Sequence, residues 1–191
     1  MILGITGIFG SGKTTVAKLF AKYGYKHINA DEIGHQLLNK SSIKNKVIKA
    51  FGKSILTNNK IDRRKLKDIV FINHKELIKL NKIIHPEIIR EISSIIKGSK
   101  NKNIMVDGAL LIETKSLNLI DKLIIVKINK KEQLKRIKRK KKYTKNEINN
   151  IIKSQLSQNQ KLKYADYILD NSKSLKKTEK QVKKVVNEIH Q

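Results

Sequence analysis

Eight residues near the start, Gly7 to Thr14, read GIFGSGKT and fit G-x-x-x-x-G-K-[ST] at every fixed position. Glycines at 7, 10 and 12 let backbone amides turn toward an anion with no Cβ in the way. A helix that starts there adds its partial positive charge. In such a loop the Lys13 ammonium reaches the β- and γ-phosphates of a nucleotide, and the Thr14 hydroxyl ligates Mg²⁺. The phosphate could then move to a small molecule, drive a machine or switch a signal.

Other residues could serve that chemistry. Asp31 ends the second predicted strand, on the sheet edge where α/β proteins hold ligands, and can accept or orient the proton of an attacking hydroxyl. It also reads as a helix N-cap. Asp107 ends the apolar run IMV, as a second Mg²⁺-linked acid often does, although that pattern is common by chance. Arg63 and Arg64 follow Asp62, either as ligand contacts or as an ordinary ion pair at a helix start. His85-Pro86 could touch a ligand or shape a helix turn. The basic run from Lys138 to Lys142 suits a mobile lid over a transferring phosphoryl group, or a solvated charge run.

Short strands alternating with helices must position these groups. ILGIT (2–6) precedes the loop, and a helix runs from Thr14 to Gly24. YKHIN reads as a second strand, NIMVD and KLIIVKI as central parallel strands, and YADYILDN as the last, before a terminal helix. The middle, about 40–100, reads as helical, with Pro86 opening a second helix where its missing N–H does no harm. Thr144 and Glu147 form a capping-box pattern. The alternation predicts a parallel sheet in an α/β fold.

Composition narrows the class. The 191 residues contain no cysteine, which excludes disulfides and thiolate metal sites and suits a cytoplasmic enzyme. No apolar run exceeds four residues, so no membrane span is expected, and the apolar N-terminus reads as a buried strand. A net charge of +27 attracts polyanions, yet the lysines are spread along the chain and aromatics make up 5%. Stacking platforms for single-stranded nucleic acid are therefore not evident, and no specific nucleic-acid partner is expected. A GTP switch should carry N-K-x-D and a protein kinase H-R-D and D-F-G; none occurs.

Further segments are GITGIFGSGKTTVAKLF, INADEIGHQLL, FGKSIL, IDRRKLKDIVF, the IIHP of Ile83 to Pro86, LLIE from Leu110 to Glu113, QLKRIKRK, Ser154-Gln155 and ADYILDN. In content, order and spacing the chain resembles the bacterial dephospho-CoA kinase family along nearly its whole length. Many NTPases share the loop, whereas the combination is far more specific. The resemblance implies transfer of the ATP γ-phosphoryl group to the ribose 3′-hydroxyl of dephospho-CoA, the last step of coenzyme A synthesis, with Mg²⁺. It implies a P-loop NTPase fold with a five-stranded parallel sheet flanked by helices, in one kinase unit. The core would span about 1–35, 100–130 and 160–191, a helical acceptor-binding region about 36–99, and a lid about 131–159.

Carried over by position, Gly10, Ser11, Gly12, Lys13, Thr14 and Thr15 bind ATP, with Thr14 toward the metal. Asp31 matches the carboxylate at the acceptor hydroxyl. Arg63, His85, Pro86 and Leu110 match the acceptor side, Arg136 and Lys140 the lid, and Asn171 the adenine-side loop. Three positions depart from the family pattern. Asn29 stands for the first Asp of a pair, Ala109 for a proline, and Lys140 for an arginine, with Arg139 one place earlier. Arginine clamps a phosphate with two donors and lysine is a point charge, so either Arg139 takes the role or the lid is weaker. The expected partner is the small-molecule substrate, with the protein a monomer or weak homo-oligomer.

Overall fold

The computed structural model describes residues 1–114, 116–139 and 144–190, with the backbone alone for Ile72 and His74. In chain order the elements are β1 (Ile2–Thr6), α1 (Lys13–Ala21), β2 (Lys26–Asn29), α2 (Ala30–Leu37), α3 (Ser41–Phe51), β3 (Leu56–Thr57), β4 (Lys60–Ile61), α4 (Arg63–Ile72) and α5 (His74–Lys97). They continue with β5 (Ile104–Asp107), β6 (Lys122–Lys127), α6 (Lys130–Arg139), α7 (Lys145–Lys153), α8 (Gln158–Leu162), β7 (Tyr167–Asp170) and α9 (Leu175–Ile189). They divide into two units. The first comprises Met1–Asn29, Gly98–Lys142 and Gln155–Gln191; the second comprises Ala30–Lys97 and Tyr143–Ser154.

The first unit holds a five-stranded parallel sheet in the order β2-β5-β1-β6-β7. Its central strands β5, β1 and β6 are short and almost wholly buried, as the middle of a covered parallel sheet requires, whereas the edge strands β2 and β7 are partly exposed. Leu3 and Ile5, Met105, Ile124 and Val126, and Leu169 share one core with Val16, Ala17, Leu19 and Phe20 of α1 and Val182, Val185 and Val186 of α9. The central strand β1 lies between β5 and β6, with Ile5 opposite Asp107 and Thr6 opposite Ile125. The glycine loop therefore leaves the sheet beside the carboxyl end of β5, where open α/β sheets bind ligands.

Between β6 and β7, Asp166 accepts bonds from the Leu123 amide at 2.8 Å and from Lys122 Nζ at 3.1 Å. The Leu123 amide first, and then Lys122, hold its carboxyl below the usual value. A depressed carboxylate stabilises the fold above its unfolded pKa of about 3.9, and that share is lost as pH falls through the folded value. Asp166→Asn should lower the melting temperature at neutral pH and flatten its decline from about pH 5 to about pH 3. A parallel curve merely displaced would contradict this assignment.

The second unit is mainly helical, around Leu38, Ile43, Val47, Ile55, Ile61, Leu66, Val70 and Ile84. A departure from the expected helices is the antiparallel pair β3 and β4. Asn58 and Asn59 turn it with φ of 48° and 57°, the left-handed pair of a tight hairpin turn, which asparagine tolerates. Asp62 caps α4 by accepting from the amides of Arg64 at 2.8 Å and Lys65 at 3.3 Å. The capping box at Thr144 and Glu147 is present at the start of α7.

Pro86 does not open a helix. It lies inside the 24-residue α5, which runs unbroken. A proline at such a place removes one i→i−4 bond and crowds a carbonyl, costing about 3 kcal/mol. Helix α5 packs along α2, α3 and α4, and that burial outweighs the local penalty. The Pro86 side is exposed, so removing the ring forfeits little packing. Pro86→Ala should raise the melting temperature; an unchanged or lower value would show that the ring makes contacts worth more than the recovered bond.

Candidate active site

The phosphate loop is built by contacts far along the chain. Gly10 and Gly12 both have φ of +85°, a left-handed conformation that favours glycine. At Gly7 a Cβ would sit 2.5 Å from the Val126 carbonyl, and at Gly12 it would strike the Asn171 amide and lie 3.0 Å from Arg136 Nη1. Within the loop the Ser11 amide donates to the Ile8 carbonyl at 3.0 Å, and the Val16 amide to Gly12 at 3.1 Å.

The Ser11 carbonyl is held by two side chains from distant parts of the chain. Asn171 Nδ2 donates to it at 2.7 Å and Arg136 Nη1 at 3.2 Å. Arg136 also donates to the Asn171 carbonyl at 2.8 Å through Nη2, and to Glu132 at 3.2 Å through Nε. Asn171 is buried, and its Oδ1 accepts from the buried Thr178 hydroxyl at 2.9 Å. On the other flank, Gln155 Oε1 accepts from the Phe9 amide at 2.9 Å, and Gln133 Nε2 donates to the Phe9 carbonyl at 2.8 Å.

These groups border a cleft of about 340 Å³, lined by Gly10, Gly12, Thr15, Arg136, Arg139 and Asn171 together with Lys173. Lys13 and Thr14 open α1 beside it. Arg136, Arg139 and Lys173 line the cleft beside the N-terminus of α1, a combination of cations and a positive helix end that suits polyphosphate. Lys140, the other lid candidate, lies outside the described residues. Asp107 ends β5 buried at 1% exposure, and neither of its carboxylate oxygens has a hydrogen-bond partner among the described residues. His27 Nε2 stands 3.4 Å from Oδ2, within ion-pair reach but without hydrogen-bond alignment. Burying an unbonded carboxylate is costly, and a cation or its water would satisfy it.

Leu110 belongs to the turn after β5, where its carbonyl accepts the Thr114 amide at 2.9 Å and hydroxyl at 2.7 Å. The remaining predicted residues lie in the second unit. Asp31 is exposed at the second position of α2, two steps inside the cap position, where its charge suits the positive helix end. Arg63 opens α4, with Nη2 3.3 Å from His35 Nε2. His85 is half-buried in α5.

The likeness to known proteins covers both units. The model of the family described as Dephospho-CoA kinase matches residues 1–177. The chain belongs to the dephospho-CoA kinase family. The dephospho-CoA kinase of Fusobacterium nucleatum is 38% identical over 190 residues, 99% of this chain and 98% of its own length. That of Aquifex aeolicus is 38% identical over 194 aligned residues, covering 98% and 96%. Among solved structures, the dephospho-CoA kinase from Campylobacter jejuni superposes with a TM-score of 0.71 at 30% identity, covering 98% of this chain and 96% of that one. A shikimate kinase from Aquifex aeolicus, 17% identical with a TM-score of 0.55 and covering 100% and 96%, shares the fold.

For this member of the dephospho-CoA kinase family, the geometry adds residues that sequence alone did not single out. Gln133 carries no signal of its own, and Gln155 was visible only within a two-residue likeness. At Ala109 the turn is tied by its carbonyl, which accepts from Thr6 Oγ1 at 3.2 Å and Lys161 Nζ at 3.0 Å. The loop geometry makes a direct prediction. Gly12→Ala should weaken Mg-ATP binding about tenfold or more, since left-handed backbone alone costs an alanine about 1–2 kcal/mol. Titration calorimetry reads this, and wild-type affinity would contradict the geometry.

Proposed function

We propose that this chain is a dephospho-CoA kinase, transferring the γ-phosphoryl group of ATP to the ribose 3′-hydroxyl of dephospho-CoA in the cytoplasm. The observation that carries the reading is a phosphate loop pre-shaped by Arg136 and Asn171, in a chain whose family likeness runs through both units. Lys13 and the amides of Gly10 to Thr15 take the ATP phosphates, and Asn171 borders the adenine side. Arg139, which lines the cleft, is the lid clamp of this proposal.

The residues fit Mg²⁺, for Thr14 lies in the first turn of α1 and Asp107 offers buried oxygens without a hydrogen-bond partner among the described residues. Thr14 and Asp107 would hold the ion. The ion, when bound, neutralises charge on the β- and γ-phosphates. Asp31 takes the proton of the 3′-hydroxyl as that oxygen bonds to the γ-phosphorus. The bond from the γ-phosphorus to the β–γ bridging oxygen breaks, and ADP leaves. Arg63, His85 and Leu110 hold the acceptor. The described residues contain no helix long and apolar enough to cross a membrane, and we assign no membrane or specific nucleic-acid partner to a monomer or weak homo-oligomer.

ADP release with Mg-ATP tests the reading, with dephospho-CoA, adenosine, AMP or RNA added separately. Stimulation by dephospho-CoA alone is expected, with a product one phosphate heavier; stimulation by RNA, or by none, would overturn it. Asp31→Asn should cut kcat by about a hundredfold or more while ATP affinity stays near wild type. Equal loss of ATP affinity would remove Asp31 from the role of base.

A further inference from the structure

One buried charge has no part in the chemistry above. The Lys161 side chain is fully buried, yet its three N–H donors are all used. Nζ donates to Glu113 Oε1 at 2.7 Å, to Glu113 Oε2 at 3.0 Å and to the Ala109 carbonyl at 3.0 Å. Glu113 Oε1 also accepts from the Leu156 amide at 2.8 Å. Burial pushes the Lys161 ammonium below the ordinary lysine value, Glu113 pulls it back up, and the charge of Lys13 adds to the effect of burial. The pair thus lies within electrostatic reach of the lysine of the phosphate loop.

A buried ion pair is a poor way to gain stability, because desolvation offsets most of the attraction. What this one does is join segments. On one side is the turn from Ala109 to Glu113, immediately after Asp107. Its first carbonyl is shared with Thr6, the residue before Gly7. On the other side is the stretch from Gln155 to Lys161. Gln155 holds the Phe9 amide inside the loop, and Gln158 Oε1 accepts from the Ile128 amide at 2.8 Å. The Ser157 capping box with Gln160 fixes the short helix that aims Lys161 inward.

We propose that Lys161, through Glu113 and the Ala109 carbonyl, is a positioning residue for phosphoryl transfer, locking the turn after β5 to the segment that holds the phosphate loop. The inference rests on the kinase reading for its substrate, and on geometry alone for the residue. Misplacement of reacting groups by about 1 Å can cost about a hundredfold in rate. Removing the lock should therefore lower kcat more than it raises KM.

The test compares the full chain with Lys161→Met, Glu113→Gln and the double variant, by thermal melting and steady-state kinetics with Mg-ATP and dephospho-CoA. Lys161→Met alone strands the Glu113 carboxylate and should lose both stability and turnover. In the double variant the stranded charge is gone. Its melting temperature is expected to return to within a few degrees of wild type, with kcat still down about tenfold or more and KM for dephospho-CoA within about threefold. Recovery of kcat together with stability would make the pair purely structural and overturn the proposal. A KM loss with kcat intact would do so as well.

If neither Lys161 variant folds, Glu113→Gln decides, since it keeps the shape and an acceptor for Leu156. A clear fall in kcat supports the lock, and wild-type kcat overturns it. A wild-type chain that binds a fluorescent ATP analogue but leaves dephospho-CoA unphosphorylated would sink the substrate reading instead. The same comparison is then made on ATP hydrolysis, where the double variant should again fall about tenfold and an unchanged rate would overturn the lock.

Discussion

The site depends on a carbonyl that two remote side chains hold. In a loop meant to offer amides to phosphates, the Ser11 carbonyl is the group that would repel them. Arg136 and Asn171 both donate to it, and Gly12 in a left-handed conformation is what allows the peptide to face them. Asn171 is positioned by Thr178 of α9 and by its own amide, which donates to the Lys127 carbonyl at 3.0 Å. Arg136 is braced by Glu132 one turn earlier. A nucleotide-binding loop of eight residues is thus shaped by β6, α6, β7 and α9 together.

Charge at this site is organised rather than abundant. A protein with net +27 attracts polyanions over its whole surface, and such attraction is screened by salt. The cleft differs because Arg136 is fixed by three hydrogen bonds, to the Ser11 carbonyl, the Asn171 carbonyl and Glu132. Lys161 is the opposite case, a cation withdrawn from solvent and matched by Glu113. Between them Lys13 remains partly exposed at the head of α1. Preorganised charge of this kind, together with oriented amides, is what separates phosphoryl transfer from mere phosphate binding.

Much of the frame was legible in the residues. The glycine spacing announced the loop, and the runs ILGIT, IMVD and KLIIVK were too short and too apolar to be anything but covered strands. The capping box at Thr144 could be read directly. The hairpin at Leu56–Ile61 was missed although Asn58-Asn59 is a turn signal, because the flanking strands are two residues each and carry no alternation. Pro86 misled because its local preference is overridden by packing along α5. Within the site, Lys13 and Thr14 followed from the motif, and Arg136 and Asn171 from family likeness. Gln133 and the Lys161–Glu113 pair act through contacts 48 to 124 residues apart in sequence, a separation at which no local pattern speaks.

The claim that the loop is pre-shaped by remote residues is tested most directly by a double-mutant cycle. Mg-ATP affinity would be measured by calorimetry for wild type, Arg136→Ala, Asn171→Ala and the double variant, each checked for a wild-type melting profile. Both side chains hold one carbonyl, so each single change should weaken binding, and the double variant should lose clearly less than the two losses combined. Additive losses would mean two independent contacts to the nucleotide. Unchanged affinity in either single variant would show that the loop forms without the clamp.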